Sequence, residues 1–313
     1  MNPQHKNLPK VIVILGPTAS GKTLTSLKLA KEFNGEIISA DSRQIYQKMD
    51  IGTAKEAGEW RRNGLRKTFF VQDIPHHLID FLNPGKTFTA AQFRDRALKY
   101  IKLANKHGRV PMIVGGTGLY ISALVDNYQI PRVEANNKLR KSFEEKTTAE
   151  LVKILTSLDP KAIETIDQKN RRRLIRAVEV SIITGKPFSE QQRKGESLVQ
   201  ALQIGIDVDK ETLNSRIDAR VDQMIDKGLE REVKSLVHKG YPWHLPSMSG
   251  VGYKQFKAYF EGSSSLEQTI KQLKRDTRRY ARRQATWFRR DKRILWLKEY
   301  EVIRNRVQNF LAS

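Results

Sequence analysis

Short apolar runs alternate with amphipathic stretches in the first third of the chain. KVIVIL, which begins at Lys10, is rich in β-branched residues and ends at a glycine-rich loop. The segment after this loop places Leu24, Leu27, Ala30 and Phe33 at helical spacing. The pattern predicts a strand, a loop and a helix, in that order.

Two further apolar runs predict strands. GEIISAD ends at Asp41, and VPMIVGG ends at Gly116 after a helical stretch from about Thr89 to His107. Strands that alternate with helices form a parallel sheet, whose ligands gather at the carboxyl ends of the strands. We therefore expect Gly16, Asp41 and Gly116 to share one edge of the sheet.

The pattern changes in the second half of the chain. Residues 131–196 are charged and helix-forming without clear strands, whereas LQIGIDVD predicts a strand ending at Asp209 and RILWL predicts a last strand. The expected fold is an α/β protein with a parallel sheet core flanked by helices. Residues 1–130 and 197–313 would form this core, with its basic C-terminal helices, and residues 131–196 a helical insertion domain.

The clearest helical period follows EGSSSLEQ, whose serines offer an N-cap. One stripe is expected to pack inward, at Leu266, Ile270, Leu273, Thr277, Tyr280, Gln284 and Trp287. The segment from Lys271 to Arg293 holds eleven basic residues and two acidic ones. Such an excess favours contact with phosphates over a merely solvated face. The candidate phosphate contacts are Arg278, Arg279, Arg282 and Arg283.

Charge and composition narrow the class of protein. The 313 residues carry a formal net charge of +23, which favours a polyanionic partner such as a nucleic acid. The absence of cysteine excludes disulfides and thiolate zinc sites. The polar N-terminus and the lack of a long apolar run lead us to expect a cytoplasmic protein without membrane contact. We also expect a monomer without an obligate protein partner.

The loop after KVIVIL has the spacing of a phosphate-binding loop. Gly16, four spacers, Gly21, Lys22 and Thr23 match the pattern, between a predicted strand and a predicted helix. Its glycines let backbone N–H groups turn toward a diphosphate, Lys22 adds a charge, and the Thr23 hydroxyl can ligate Mg²⁺. The alternative is a structural glycine turn. The candidate diphosphate-binding residues are Gly16, Pro17, Thr18, Ala19, Ser20, Gly21, Lys22 and Thr23.

The identity of the bound phosphate is open from these residues. Hydrolysis of a nucleotide would need a strand that ends in a Mg²⁺-binding carboxylate. VPMIVGG ends in glycines, whereas Asp207 and Asp209 fit a turn or a helix cap as well as a metal site. The loop can therefore hold a diphosphate that is not part of ATP.

Other polar residues fall near the expected ligand edge. Asp41 can bind metal or accept a proton, and the alternative is an N-cap for the following segment. The glycines around Thr117 allow close backbone approach, and its hydroxyl could bond a base or a phosphate. For His76 and His77 we favour hydrogen bonding or packing over metal binding, because no cysteine is present and histidines are few.

Six segments together resemble the bacterial tRNA dimethylallyltransferases, also called tRNA isopentenyltransferases. In that family's order they are GPTASGKT, DSRQIYQKMDIGTAK, PHHLID, GGTGLYISAL, RRRLIRAVEV and LPSMSGVGYKQ. The resemblance implies a P-loop NTPase-like core with a helical insertion that binds a tRNA anticodon stem-loop. It also implies transfer of a dimethylallyl group from dimethylallyl diphosphate to the exocyclic N6 amine of the adenosine 3′-adjacent to the anticodon, with release of diphosphate.

The same resemblance implies roles for individual residues. Asp41 would act as the base, with Lys22, Thr23, Mg²⁺ and Arg220 stabilising the leaving diphosphate; Arg216, one helical turn away, competes with Arg220. For either arginine the alternative is a surface pairing with Asp218 or Asp222. The implied tRNA contacts are Asp41, Ser42, Arg43, Gln44, Thr117, Arg140, Arg172, Arg173, Arg176, Ser249, Gly250, Gly252 and Tyr253.

Two other functions share the phosphate-binding loop. A kinase of a small metabolite would use Lys22 and Thr23 but would not need the basic C-terminal segment. An ATP-switched RNA-binding protein would need both features but would transfer no group to RNA.

Overall fold

The computed structural model describes residues 8–63, 66–129, 131, 133–191 and 193–313. Contacts divide the chain into two compact units. One comprises Met1–Val125 and Leu198–Ser313, and the other comprises Asp126–Ser197. These limits lie close to those expected for the core and the insertion.

Eight strands of the first unit, among the described residues, form one sheet. They are β1 (Lys10–Leu15), β2 (Gly35–Ser39), β3 (Glu59–Asn63), β4 (Arg66–Val71), β5 (Ile74–His77), β6 (Val110–Gly115), β7 (Gln200–Ile206) and β8 (Leu295–Leu297). Their order is β3-β4-β5-β2-β6-β1-β7-β8. From β5 to β8 all neighbours are parallel, which confirms the predicted core.

The far edge of the sheet differs from the prediction. β3 and β4 form an antiparallel hairpin that pairs with β5, so the sheet is mixed instead of wholly parallel. The sequence pattern did not indicate any of these three strands. β1 lies inside the sheet between β6 and β7, and its five residues Val11–Leu15 are fully buried.

Twelve α-helices are found among the described residues. They are α1 (Lys22–Glu32), α2 (Ala90–Lys106), α3 (Gly118–Val125), α4 (Asn137–Glu144), α5 (Thr148–Leu158), α6 (Pro160–Thr165), α7 (Arg171–Thr184), α8 (Lys210–Asp226), α9 (Leu229–His238), α10 (Phe256–Phe260), α11 (Leu266–Phe288) and α12 (Tyr300–Ala312). None of the helices in the described part of the chain is long and apolar enough to cross a membrane.

The predicted helix boundaries agree with local capping. α2 begins after Thr89, whose hydroxyl accepts from the Gln92 N–H in a reciprocal capping box, and its C-cap is His107. α11 begins after Ser265 with the same arrangement. In α1, however, Leu24 is 63% exposed, because Leu27, Leu29 and Ala30 form the inward face instead.

The second unit has its own small core. Leu151 and Leu155 from α5 pack against Leu174, Ala177 and Val178 from α7, all of them buried. Leu174, Ala177 and Val178 of the RRRLIRAVEV segment therefore form a packing face. Ile182, further along α7, is 45% exposed and lies outside this core.

Candidate active site

The glycine-rich loop connects β1 to α1 with the backbone conformation that its sequence predicts. Gly16 and Gly21 have φ values of 144° and 98°, which glycine adopts without the strain of a side chain. Gly21 is the N-cap of α1 and makes no side-chain cap. The first N–H groups of α1 therefore have neither an intrahelical partner nor a side-chain cap, and they lie at the positive end of the helix dipole. This is the geometry of an anion site.

Gln284 on α11 fixes the loop in place. Its Oε1 accepts the Thr18 N–H at 2.9 Å, and its Nε2 donates to the Gly116 carbonyl at 2.8 Å. One carboxamide thus joins the loops that follow β1 and β6. A side chain at Gly116 would collide with it, since a Cβ there would overlap the Gln284 Nε2. The sequence placed Gln284 on the inward stripe but did not reveal these two contacts.

Lys22 lies partly buried at the same end of the site. Its ammonium donates to the Pro17 carbonyl at 2.6 Å. Burial lowers the pKa of Lys22 to about 8; the nearby charge of Asp41 opposes this shift, and that of Arg220 adds to it. The lysine therefore lies close to both of the other charged groups assigned to the reaction.

One cavity, at the carboxyl ends of β1, β2 and β6, is lined by residues assigned to the diphosphate site and to the reaction. Its polar end is lined by Thr18, Lys22, Thr23 and Arg220, and Asp41 also reaches it. Its apolar wall comes mainly from α8 and α11, which contribute Ile217, Val221, Met224, Leu273 and Tyr280. The stripe on α11 is thus partly a cavity wall, where the sequence suggested only packing.

Asp41 makes the capping contact that the sequence offered as one alternative, and it also lines the cavity. Its Oδ1 accepts the backbone N–H groups of Arg43 at 2.8 Å and Gln44 at 3.3 Å, so it caps a turn, though no α-helix follows directly. Its Oδ2 has no hydrogen-bond partner within the described ranges, and the residue lines the cavity. The cap fixes the carboxyl group while one oxygen remains available to a ligand.

The structure separates Arg220 from Arg216. Arg220 lines the cavity, and burial lowers its pKa, with the charge of Glu56 opposing the shift. Arg216 is exposed and does not line it. The suggested surface pairing is wrong for both, because the two aspartates have partners on α11. Asp218 pairs with Arg278 at 3.4 Å and Asp222 with Lys274 at 2.7 Å.

Ser42 and Thr117 join two of the predicted segments. The Thr117 Oγ1 accepts the Ser42 N–H at 3.0 Å and donates to the Ser42 Oγ at 3.3 Å. The Gln44 amide donates to the carbonyls of Thr53 and Ala54, at 3.2 and 3.1 Å. These side chains therefore hold the rim of the cavity together.

The SGVGY segment meets the same rim. Arg43 donates to the Pro246 carbonyl, to which the Ser249 hydroxyl also donates at 2.9 Å. Gly250 packs against the Arg43 side chain, and Gly252 lines the cavity.

Tyr253 does not fit its predicted contact with tRNA. Its side chain is fully buried and donates to Glu232 Oε1 at 2.7 Å. The same carboxylate accepts the N–H groups of Asp50, Ile51 and Gly52, between 2.8 and 3.0 Å. Tyr253 therefore supports the loop that carries Gly52 into the cavity wall. No sequence signal singled out Glu232, whose partners lie far away along the chain.

The arginines of the second unit divide into two kinds. Arg140 and Arg176 both bind the buried Glu179 carboxylate, at 2.8 and 2.7 Å. Although burial opposes ionisation, these two cations hold the pKa of Glu179 below its usual value. Arg172 and Arg173, by contrast, are exposed. An internal ion pair therefore competes with the predicted RNA contact at Arg140 and Arg176.

The four candidate arginines of α11 differ in whether a carboxylate neutralises their charge. Arg278 faces Asp218, and Arg279 lies 3.7 Å from Asp276. Arg283 lies over the Tyr280 ring at 5.8 Å, and Arg282 is exposed without a partner in the described part of the chain. Of the four candidate phosphate contacts, Arg282 and Arg283 are therefore the two without a carboxylate partner among the described residues.

The remaining acidic and histidine candidates have structural roles. Asp209 caps α8 by accepting the Thr212 N–H at 2.8 Å, and neither Asp207 nor Asp209 lines the cavity. His77 bonds Glu36 at 2.7 Å, and His76 bonds the Ile74 carbonyl at 2.9 Å. Burial lowers the pKa of His76 to about 4, so it is neutral at physiological pH. Both histidines thus make the hydrogen bonds that the sequence led us to favour.

Comparison with known proteins decides the family. The model of the IPP transferase family matches residues 44–291, and that of the isopentenyl transferases matches residues 9–74. The chain belongs to the IPP transferase family. The family suggested by the six sequence segments is thereby confirmed, as is the P-loop NTPase-like α/β fold.

Curated members of the IPP transferase family match over nearly their whole length. A tRNA dimethylallyltransferase of Acetivibrio thermocellus is 44% identical over 94% of this chain and 93% of its own. That of a Roseiflexus species is 44% identical over 92% of each chain.

Solved structures show the same fold. The full-length tRNA isopentenylpyrophosphate transferase of Bacillus halodurans is 36% identical, with a TM-score of 0.68 over 97% of this chain and 96% of its own. A eukaryotic dimethylallyltransferase acting on tRNA is 28% identical, with a TM-score of 0.72 over 89% of this chain and 69% of its own.

Proposed function

We propose that this protein transfers the dimethylallyl group of dimethylallyl diphosphate to the N6 amine of the adenosine 3′-adjacent to the anticodon in tRNA. The observation that carries the proposal is the composition of a single cavity. An anion-binding loop, an apolar wall and an available carboxylate oxygen all face it. The relatives named as tRNA dimethylallyltransferases support the choice of donor and acceptor.

The polar end of the cavity suits the leaving group. As the bond between the allylic carbon and oxygen breaks, its electron pair moves onto the diphosphate. The N–H groups at the start of α1, the Lys22 ammonium and the Arg220 guanidinium can stabilise that charge. Each positioned donor of this kind contributes about 3 to 4 kcal/mol to the transition state.

Asp41 suits the acceptor side. The exocyclic amine of adenine is a poor nucleophile, because its lone pair is delocalised into the ring. As the new nitrogen–carbon bond forms, the amine loses a proton, and Asp41 Oδ2 is the oxygen free to take it. The adenosine must leave the RNA stack to reach this carboxylate, as in other enzymes that modify bases.

The apolar wall suits the dimethylallyl chain. Val221, Met224 and Leu273 offer hydrocarbon contacts beside the phosphate-binding end. An allylic carbon that loses diphosphate is open to attack by water. A wall that excludes water therefore favours transfer to RNA over hydrolysis.

Mg²⁺ is the proposed cofactor. The described residues contain no group of three or more His, Cys, Asp or Glu side chains that could hold a metal. Magnesium at phosphate sites takes much of its coordination from substrate and water, and the Thr23 hydroxyl on the cavity wall fits as the protein donor. When bound, the ion would help to neutralise the diphosphate.

A transfer assay tests the proposal. Radiolabelled dimethylallyl diphosphate is incubated with unmodified tRNA and with the same tRNA in which that adenosine is replaced by guanosine. We expect label only in the first RNA. A small-metabolite kinase or an ATP-switched RNA-binding protein would leave both RNAs unlabelled, and that result would overturn the proposal.

Donor binding should weaken as pH rises through about 8. Lys22 is cationic below its pKa of about 8 and neutral above it, so its attraction for the diphosphate is lost on the alkaline side. We expect the Kd for dimethylallyl diphosphate, measured by calorimetry without RNA, to rise about tenfold per pH unit well above the pKa. Lys22→Arg, which stays cationic, is the control. Identical pH profiles for the two proteins would contradict this role.

The free arginines of α11 should contribute to RNA affinity. Arg282→Gln/Arg283→Gln removes two cations that face no carboxylate among the described residues, whereas the control Lys271→Gln removes one paired with Glu267. We expect the double variant to bind tRNA more weakly and its salt slope to fall by about 1.4 to 1.8. Equal slopes for the double variant and the wild type would exclude Arg282 and Arg283 from the RNA surface.

A further inference from the structure

The β3–β4 hairpin has two faces with different charge pairing. Its register places Trp60 opposite Phe69 and Arg62 opposite Lys67, and alternation along the strands puts all four on one face. We call Trp60, Arg62 and Lys67 the Trp60 face, because these three are exposed whereas Phe69 is buried. None of the six segments that indicated the family includes this hairpin.

The two cations of the Trp60 face are unneutralised. Arg62 and Lys67 lie directly opposite each other, which is destabilising for like charges, and neither has an ion-pair partner in the described part of the chain. Arg61 on the other face pairs with Glu59 at 2.6 Å and Asp73 at 2.7 Å. The protein therefore neutralises Arg61 and leaves the two cations of the Trp60 face open to an anion.

Trp60 is both exposed and held in place. Its side chain is 42% exposed, packs edge-to-face on Phe69 at 5.6 Å and donates from Nε1 to Asp80 Oδ2 at 2.9 Å. Charges alone would protect β3 as an edge strand, but such protection does not require an exposed indole. An aromatic ring beside free cations is the combination that binds unpaired nucleotides, through stacking and phosphate contacts.

The Trp60 face is connected to the cavity. Asp80, which accepts from Trp60, also binds the Lys55 ammonium at 2.7 Å. Lys55 lies between Ala54 and Glu56, and both of these line the cavity. The face is thus joined to the cavity wall through Asp80 and Lys55.

We propose that the Trp60 face binds the unpaired loop of the tRNA substrate, with one base stacked on Trp60 and neighbouring phosphates on Arg62 and Lys67. The proposal rests on the proposed function for the identity of the RNA. Bases in anticodon loops are unpaired and can stack on aromatic side chains. The net charge of +23 and the free cations complement the RNA backbone.

The cations are tested by salt-dependent binding of an unmodified anticodon stem-loop RNA. We expect Arg62→Gln/Lys67→Gln to bind about tenfold more weakly, with a salt slope reduced by about 1.4 to 1.8. Lys102→Gln/Lys106→Gln removes the same charge from exposed positions on α2, which leads to the amino end of β6. An unchanged slope in the hairpin variant, or an equal change in the α2 variant, would overturn the proposal.

The ring is tested by a graded series. Trp60→Leu should bind the stem-loop about tenfold more weakly, whereas Trp60→Phe, which loses the bond to Asp80 but retains a ring, should recover most of the affinity. Neither change should alter binding to a duplex RNA without a loop. If Trp60→Leu and Trp60→Phe lost equal RNA affinity, Trp60 would have a structural role only. If RNA binding were unchanged and binding to anionic vesicles were lost, the face would be a membrane surface. Either result overturns the proposal.

The transfer assay distinguishes a failure of this proposal from a failure of the proposed function on which it rests. In the transfer assay the hairpin variants should show a KM for RNA raised about tenfold and an unchanged kcat. If the wild type labels no RNA, the proposed function fails irrespective of the hairpin. If the wild type labels RNA and the variants keep its KM, only the role of the hairpin fails.

Discussion

Asp41→Asn should lower the rate of prenyl transfer by about 10²- to 10⁴-fold, with tRNA and dimethylallyl diphosphate still bound. Asparagine retains an oxygen that can accept the N–H groups of Arg43 and Gln44, so the turn capped by Asp41 persists. It cannot accept the proton that the adenine amine loses. The variant therefore removes the base and preserves the local fold. Single-turnover transfer to saturating tRNA measures the effect.

A second aspartate provides the control for Asp41. Asp207 follows β7 but does not line the cavity. Asp207→Asn is expected to retain wild-type turnover within about twofold. If Asp41→Asn also transferred at the wild-type rate, another group or water would have to accept the proton, and the assigned role of Asp41 would be wrong.

Arg220→Gln should lower kcat by about 10²- to 10³-fold, equivalent to about 3 to 4 kcal/mol of transition-state stabilisation. Its guanidinium lines the cavity together with Lys22, and in the proposed reaction negative charge grows there on the leaving diphosphate. Glutamine retains hydrogen-bonding capacity and much of the length but carries no charge. Steady-state kinetics with both substrates saturating measure the change.

Arg216 is a matched control on the same helix. It lies one turn before Arg220 on α8 but is exposed to solvent. Arg216→Gln is expected to change kcat by less than about twofold, since exposed charges outside the site contribute little. If Arg216→Gln lowered kcat and Arg220→Gln did not, the diphosphate contact would have to be assigned to Arg216.

The buried parallel strands were predictable because burial leaves a local signal. Val11–Leu15 and the core of β6 are continuous apolar runs, as expected for strands covered on both sides. The hairpin strand EWRRN has no such run, because it forms an exposed edge of the sheet. Its pairing with RKTFFV is set by contacts that hydrophobic periodicity does not record.

The candidate site was predictable only where its residues belong to local sequence features. The spacing from Gly16 to Thr23 and the strand end at Asp41 are local features, and the structure brings them to one cavity. Glu232 contacts Gly52 and Tyr253 across long stretches of chain, and nothing in its neighbouring residues records those contacts. Tyr253 was accordingly assigned to the RNA surface, although it is buried.

The carboxamide of Gln284 bears on selectivity between diphosphate and triphosphate ligands. Because it already accepts the Thr18 N–H, that donor is withdrawn from any third phosphate that approaches the loop. A nucleoside triphosphate that required this N–H would have to displace a side chain that also satisfies the Gly116 carbonyl. Leaving that buried acceptor unpaired costs about 1 to 3 kcal/mol, a discrimination of about 5- to 150-fold against the longer anion.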